Sequence, residues 1–298
     1  MPDRESMMHF NPQVNITRST SFRMWLVCCC AFLAVIQSSV GDSGRSLAIA
    51  LAALVSAFLT ELLITYSTHG FRKVKDGSAA ASALVLALLL PNHISPGYAA
   101  MGAAFAIVVV KHSFGGLGSN WMNPALGGWL FIRFSWPVAF ANALGDPAWG
   151  VQAFEIPVDG SEVDHLVGSF LNRTIFPLFN AALPPGYIDL FALDSPGIIA
   201  DRAGLSIVFG IAVIAAFRIS RSWLSILYLS VFGLMVRMLG DLPVGGTWWN
   251  GDVILGFLSG GTLVAAFILV ADPSSGAKSA QGNAVLVVIA AVLGMAFR

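Results

Sequence analysis

The chain has 298 residues, 16 basic and 16 acidic side chains that balance to no net charge, 56% hydrophobic residues and only 11% charged ones. A soluble domain carries about 25% charged residues, so the composition excludes an ordinary soluble enzyme and points to an all-α polytopic membrane protein. The neutral balance gives no sign of a nucleic-acid partner.

Residues 1–21 are polar (Asp3, Arg4, Glu5, His9, Asn11, Gln13, Asn15, Arg18). That is the wrong order for a charged segment followed by the apolar core of a cleavable signal, so they read as a cytoplasmic N-terminal segment. A first membrane bundle, 22–145, holds spans at 22–40, 47–66, 78–91, 97–111 and 124–145. A loop follows at 146–203. A second bundle, 204–298, holds spans at 204–217, 223–240, 253–271 and 283–297. About nine transmembrane helices result. Several fall short of the roughly 20 residues of a straight crossing. The third ends at Pro91 and the fifth starts at Pro124, and short, Pro/Gly-interrupted spans mark discontinuous helices around a binding site.

Orientation follows from Lys and Arg. With the N-terminus inside, Arg4, Arg18, Arg23, Arg72, Lys73, Lys75, Lys111, Arg218, Arg221 and Lys278 lie in cytoplasmic segments, and only Arg45, Arg173, Arg202 and Arg298 lie opposite. The 146–203 loop is then extracytoplasmic, and Phe170, Phe176, Phe179, Tyr187 and Phe191 predict that it is partly packed. An internal echo is also visible. Asp76-Gly77 opens a segment ending in Leu-Pro91, and Asp252 opens one ending in Ala-Asp-Pro273.

Between two spans lies Lys111-His-Ser-Phe-Gly-Gly-Leu-Gly-Ser-Asn-Trp-Met-Asn-Pro-Ala125. Irregular backbone at membrane depth is tolerated only where protein buries it or it lines a cavity. Glycines let backbone approach a ligand closely, and a helix entrance presents N–H groups to an anion. Lys111, Gly115, Gly116, Gly118, Asn120 and Asn123 are therefore candidate binding residues; the alternative is a plain turn with Pro at the first helical position.

Glu61, Arg133 and Arg237 fall within spans. Intramembrane charges pair or line a water-filled path, so these three are candidates for an ion path or for a Glu61–Arg pair, against snorkelling from span ends. Cys28, Cys29 and Cys30 are adjacent on one helix and point about 100° apart; they read as packing residues, and no disulfide framework is implied. His69, His93, His112 and His165 show no metal-ligand spacing. A metal site and a catalytic triad are not expected. A single Asn-Pro-Ala does not make a water channel, which needs two facing copies.

Three blocks converge on one family: Asp76-Gly-Ser-Ala through Leu-Leu-Leu-Pro91, the Lys111–Ala125 string, and Ser259-Gly-Gly-Thr through Ala-Asp-Pro273. Together they resemble the D subunit of the Rnf electron transport complex and the B subunit of sodium-translocating NADH:quinone oxidoreductase, from about residue 20 onward. The resemblance implies two inverted repeats of a urea-channel-like fold, ten spans, and a flavoprotein component of a redox-driven ion pump. Such a component passes electrons through bound flavin, couples them to Na+ or H+ movement, and works with other Rnf-like subunits in the bacterial cytoplasmic membrane. The resemblance also implies FMN joined through a phosphoester to a Thr in an external Asp-x-Ser/Thr-Gly-Ala-Thr motif. For the quinone-reductase branch it further implies riboflavin held among the helices. The chain departs from this pattern at Asp194-Ser-Pro-Gly-Ile-Ile199, which places Ile199, without a hydroxyl, at the acceptor position. The flavin expected is therefore FMN or riboflavin held non-covalently. The tenth span is not expected before Arg298. The competing reading is a stand-alone channel or solute transporter of the same fold without a redox role; a structural subunit without cofactor is a third.

Overall fold

The computed structural model describes residues 20–68, 76–113, 120, 122–140, 161–179, 183, 185–192, 197–217, 221–239, 251–272, 276–277 and 279–296. The described residues of the two membrane bundles are mostly helical. The first bundle comprises α1 (Thr20–Gly41), α2 (Arg45–Thr68), α3 (Ser78–Leu88), α4 (Pro96–Phe105) and α5 (Pro124–Ser135). The intervening region carries α6 (Glu162–Thr174) and α7 (Tyr187–Ala192). The second bundle comprises α8 (Gly204–Ala216), α9 (Ser222–Leu239), α10 (Val253–Leu258), α11 (Thr262–Val264) and α12 (Ala280–Ala296). Two π-helical turns extend α4 (Ala106–His112) and α11 (Ala265–Leu269). Each of the nine apolar segments contains helix, and α1, α2 and α9 are long and apolar enough to cross a membrane. This is an all-α membrane protein.

The centre of the first bundle is α3. Its sequence, Ser-Ala-Ala-Ala-Ser-Ala-Leu-Val-Leu-Ala-Leu, is apolar or small on all sides, and nine of its eleven residues are buried. A helix hydrophobic all round belongs in an interior, and α1, α2 and α5 pack against it. Small residues set the closest approaches. A Cβ on Gly128 of α5 would sit 2.6 Å from the Gly102 carbonyl of α4, the kind of backbone contact that packs membrane helices without a hydrophobic drive between them. The outer surface is apolar instead: Val55, Phe58, Leu59 and Leu63 of α2, and Val285, Leu286, Ile289 and Leu293 of α12, are exposed, as lipid-facing side chains are.

Two boundaries and the packing of the 146–203 segment differ from the sequence expectation. The segment read as one span at 253–271 is broken at Ser259-Gly260-Gly261, where both glycines have positive φ (64° and 66°). The fifth span runs only to Ser135, because Pro137 cannot continue the hydrogen-bond ladder; a short helical turn follows at 138–140, and 141–145 lie outside the described residues. Within 146–203, packing rests on polar groups more than on the aromatic residues named above. Buried Asp164 accepts the N–H groups of Gly186 (2.8 Å) and Ile188 (2.9 Å), while Asn172 pairs with both backbone groups of Leu183. Tyr187 is buried, but Phe170 is exposed; the Phe179 side chain is not among those described.

Candidate functional site

The glycines Gly115, Gly116 and Gly118 lie outside the described residues, so the site is built from what flanks them. Lys111 precedes them. The π-turn, which fits an extra residue into the helical turn, ends α4 with Lys111 directed inward, and only 2% of the residue is exposed. It is a buried cation, not a cytoplasmic loop residue as the charge count placed it. Its Nζ donates to Glu61 Oε1 at 2.8 Å and to Ser78 Oγ at 2.6 Å. The other carboxylate oxygen of Glu61 meets His112 Nε2 at 2.9 Å. Ser78, the first residue of α3, donates its hydroxyl (2.7 Å) and its N–H (2.9 Å) to Asp76 Oδ1. Gly77 between them adopts φ 76°, and its carbonyl accepts Cys28 Sγ–H at 3.5 Å.

A continuous chain therefore runs Asp76–Ser78–Lys111–Glu61–His112, joining the entrance of α3, the π-turn after α4 and the middle of α2. Its signs alternate, as burial demands: an uncompensated charge inside a membrane bundle is costly, and a buried pair survives only when further hydrogen bonds satisfy it. The His112 side chain is 22% exposed against 3% for Glu61, so the imidazole is the more accessible end of the chain.

The Glu61–Arg pair is not what forms. Glu61 takes Lys111 and His112. Arg133 sits with its guanidinium carbon 5.0 Å from the Phe140 ring centre, and Arg237 donates to the Gly251 carbonyl at 3.3 Å. The three intramembrane charges thus occupy three different places, because each arginine has its partner on its own side of the fold.

The second part of the site joins the two bundles. Asn123 caps α5, its Oδ1 accepting Ala125 N–H at 3.0 Å with Pro124 at the first helical position. Its Nδ2 reaches across to Asp272 Oδ2 at 3.0 Å, 149 residues away. Asp272 follows the π-turn of the second bundle, so two of the three sequence blocks meet side chain to side chain. Asn120 lies near them in sequence and is 7% exposed, and its Oδ1 has no hydrogen-bond partner. A buried amide oxygen of this kind needs a donor. Sequence reasoning named Asn120 and Asn123 but missed Asp272 as a member of the site, although Ala-Asp-Pro273 was one of the blocks.

Ile199, which the resemblance places at the acceptor position, is fully buried among the core of the first bundle. Its N–H donates to the Leu90 carbonyl at 2.9 Å, and Ala200 N–H donates to that of Leu88 at 2.9 Å. Of the other residues considered, Cys28 and Cys30 are buried and Cys29 is exposed, His93 meets the Ala139 carbonyl at 3.0 Å, and His69 lies outside the described residues.

The profile of the NQR2, RnfD, RnfE family matches residues 7–298. The chain belongs to this family. Among curated relatives it is 27% identical over 269 residues to the D subunit of the proton-translocating ferredoxin:NAD(+) oxidoreductase complex of Clostridium ljungdahlii, covering 88% of this chain and 77% of that one. It is 25% identical over 297 residues to the D subunit of the ion-translocating oxidoreductase complex of Vibrio cholerae, covering 92% and 84%. It is 29% identical over 244 residues to the B subunit of the Na(+)-translocating NADH-quinone reductase of Chromohalobacter salexigens, covering 76% and 54%. The sequence blocks that carry the resemblance supply four of the five residues of the buried network: Asp76 and Ser78 lie in the first block, and Lys111 and His112 in the second.

Proposed function

We propose that this NQR2, RnfD, RnfE family member is a membrane subunit of a redox-driven ion-translocating electron transport complex, working with the other subunits of that complex in a bacterial membrane. The observation that carries the reading is the buried Asp76–Ser78–Lys111–Glu61–His112 chain. A membrane bundle keeps such a chain where charge crosses, since a structural role would be met more cheaply by apolar packing. In the proposal Glu61 is the group that exchanges a cation or proton, Lys111 pairs with it between events, and His112 connects it to water.

The proposed flavin, FMN or riboflavin, is assigned to Asn120 and Asn123. Asn120 Oδ1 is an orphaned buried acceptor suited to a ring N–H, and Asn123 with Asp272 supplies further polar groups. Gly115, Gly116 and Gly118 are proposed to bring backbone N–H groups to the same place. Bound there, the flavin would supply the redox chemistry; the chain binds and orients it. Lys111, already shared between Glu61 and Ser78, would act on it as a neighbouring positive charge rather than a direct ligand. With Ile199 buried and lacking a hydroxyl, the flavin is held non-covalently.

The nine-span, inverted-repeat arrangement is part of the proposal, with the N-terminus cytoplasmic, 146–203 extracytoplasmic, and the cytoplasmic (inner) membrane as the location. Its support is the recurrence in each bundle of an interrupted helix, a π-turn and an asparagine at the start of the next apolar helix, Asn123 as the cap of α5 and Asn283 within the first turn of α12. The test is the absorption spectrum of the purified complex and of this subunit, before and after acid precipitation, paired with ion transport by the Glu61→Gln variant. A flavin spectrum released by acid, lost on Asn120→Leu, and an ion gradient lost on Glu61→Gln support the reading. A colourless protein sinks the flavin. A stand-alone channel or transporter is favoured only by the missing acceptor at Ile199; steady cation flux through the isolated protein in liposomes, independent of electron donors, would establish it instead.

A further inference from the structure

Residues 197–203 touch both interrupted helices at once. At the C-terminal end of α3 the carbonyls of Leu88 and Leu90, which have no acceptor duty left in their own helix, take the N–H groups of Ala200 and Ile199. At the break of the second bundle the N–H groups of Gly260 and Gly261 donate to the two oxygens of Asp201, at 3.0 and 2.8 Å. At this turn the two successive N–H groups converge on one carboxylate, and α11 begins at the same point. Ile198 fills the remaining space: a Cβ on Gly261 would lie 2.8 Å from its Cδ1. Asp201 is 4% exposed, and Ile199, Ala200 and Ala203 are at or below 2%. One short segment thus satisfies the orphaned acceptors of one broken helix and the orphaned donors of the other, closing the junction between the two bundles.

We propose that residues 197–203 form the outward plug of the ion path, and that Asp201 is the positioning residue that latches it onto Gly260-Gly261. The proposal rests on the ion-translocation reading and on the orientation given above. The latch is a carboxylate on backbone N–H groups, so it holds the plug without a covalent bond and without a metal. An amide in its place would set its NH2 against one of the two glycine N–H groups and release the plug in part.

The experiment uses the assembled complex in right-side-out and in inverted vesicles, with a cysteine reporter at buried Ala200 (Ala200→Cys) on a Cys29→Ser background and a membrane-impermeant maleimide mapped by mass spectrometry. With Asp201 present the reporter is expected to stay unlabelled. Asp201→Asn should raise its labelling rate tenfold or more from the outer face, with passive cation leak rising at equal assembly, and Asp201→Glu should restore part of the protection. Ile198→Ala, which leaves the carboxylate in place, should also raise the leak and decides the matter if Asp201→Asn does not assemble. A reporter that labels fast with Asp201 intact, or a rate and leak unchanged in assembled variants, overturns the proposal. A rise confined to inverted vesicles overturns the outward placement and with it the plug. None of these readouts depends on flavin content, so failure here is separable from failure of the flavin reading.

Discussion

The two bundles meet the same backbone problem in different ways. In the first, the left-handed entrance to α3 is stabilised by side-chain charge: Gly77 turns the chain, Asp76 holds the Ser78 N–H, and Ser78 connects to Lys111, which pairs with Glu61. In the second, the interruption at Gly260-Gly261 borrows a carboxylate, Asp201, from a segment outside the bundle. Asp252 caps α10 through Leu255 N–H at 3.0 Å, but no buried cation–carboxylate pair stands there among the described residues. The difference separates a half whose interior holds a buried cation–carboxylate pair from a half whose break is closed by backbone capture. Charge inside a membrane bundle is expensive, and the proposed working step is placed at that pair.

The largest effect is expected from splitting the charged pair. Lys111→Met leaves Glu61 buried against His112 alone, and loss of one partner of a buried pair costs about 3–5 kcal/mol; assembled complex should fall sharply in membranes. The combined Lys111→Met, Glu61→Gln variant should recover much of that loss, because no unpaired charge remains. A double variant as unstable as the single one would show that the pair is held by packing and not by its charges.

The second bundle should respond to shape, not charge. Gly261→Val forces a β-branched residue into φ 66° and onto Ile198, a strain of about 1–3 kcal/mol. Gly77→Val meets the Trp25 indole at 3.1 Å with φ 76° and should be comparable. Equal thermal destabilisation, with ion transport lost disproportionately in the Gly77 variant that disturbs Ser78, sharpens the comparison; indistinguishable transport per assembled complex breaks it.

A smaller effect is expected where the bundles join. Asn123→Ala removes the cap of α5, worth about 1 kcal/mol, and the bond to Asp272. Flavin retained on gel filtration should fall. Asn123→Asp keeps the cap but sets a second carboxylate against Asp272, so it should retain stability better than affinity. If both variants keep the wild-type flavin content, the asparagine is a cap and nothing more.

How much of this could be read beforehand varies with range. The helices were legible because apolar runs of membrane length have few alternatives, and the interruption at Pro91 was legible because Pro ends a ladder. The break at Gly260-Gly261 was hidden inside an apolar run, with only the paired glycines to betray it. Lys111 was among the candidates, but its partner was not foreseen: Glu61 is 50 residues away, and nothing local selects it over an arginine or a flavin. Asp201 belonged to no motif in the sequence; its carboxylate is fixed by glycine amides 59 and 60 residues on. Side chains acting within a turn of their own backbone can be read, as Asn123 at a helix start was, whereas charges paired across the fold need the fold.

The most direct test of the central claim is ion translocation per electron transferred by the assembled complex carrying the charge-neutral Lys111→Met, Glu61→Gln pair. The account predicts a complex that assembles, retains its flavin spectrum and transfers electrons, yet builds no ion gradient. A wild-type gradient at the wild-type electron-transfer rate would contradict it.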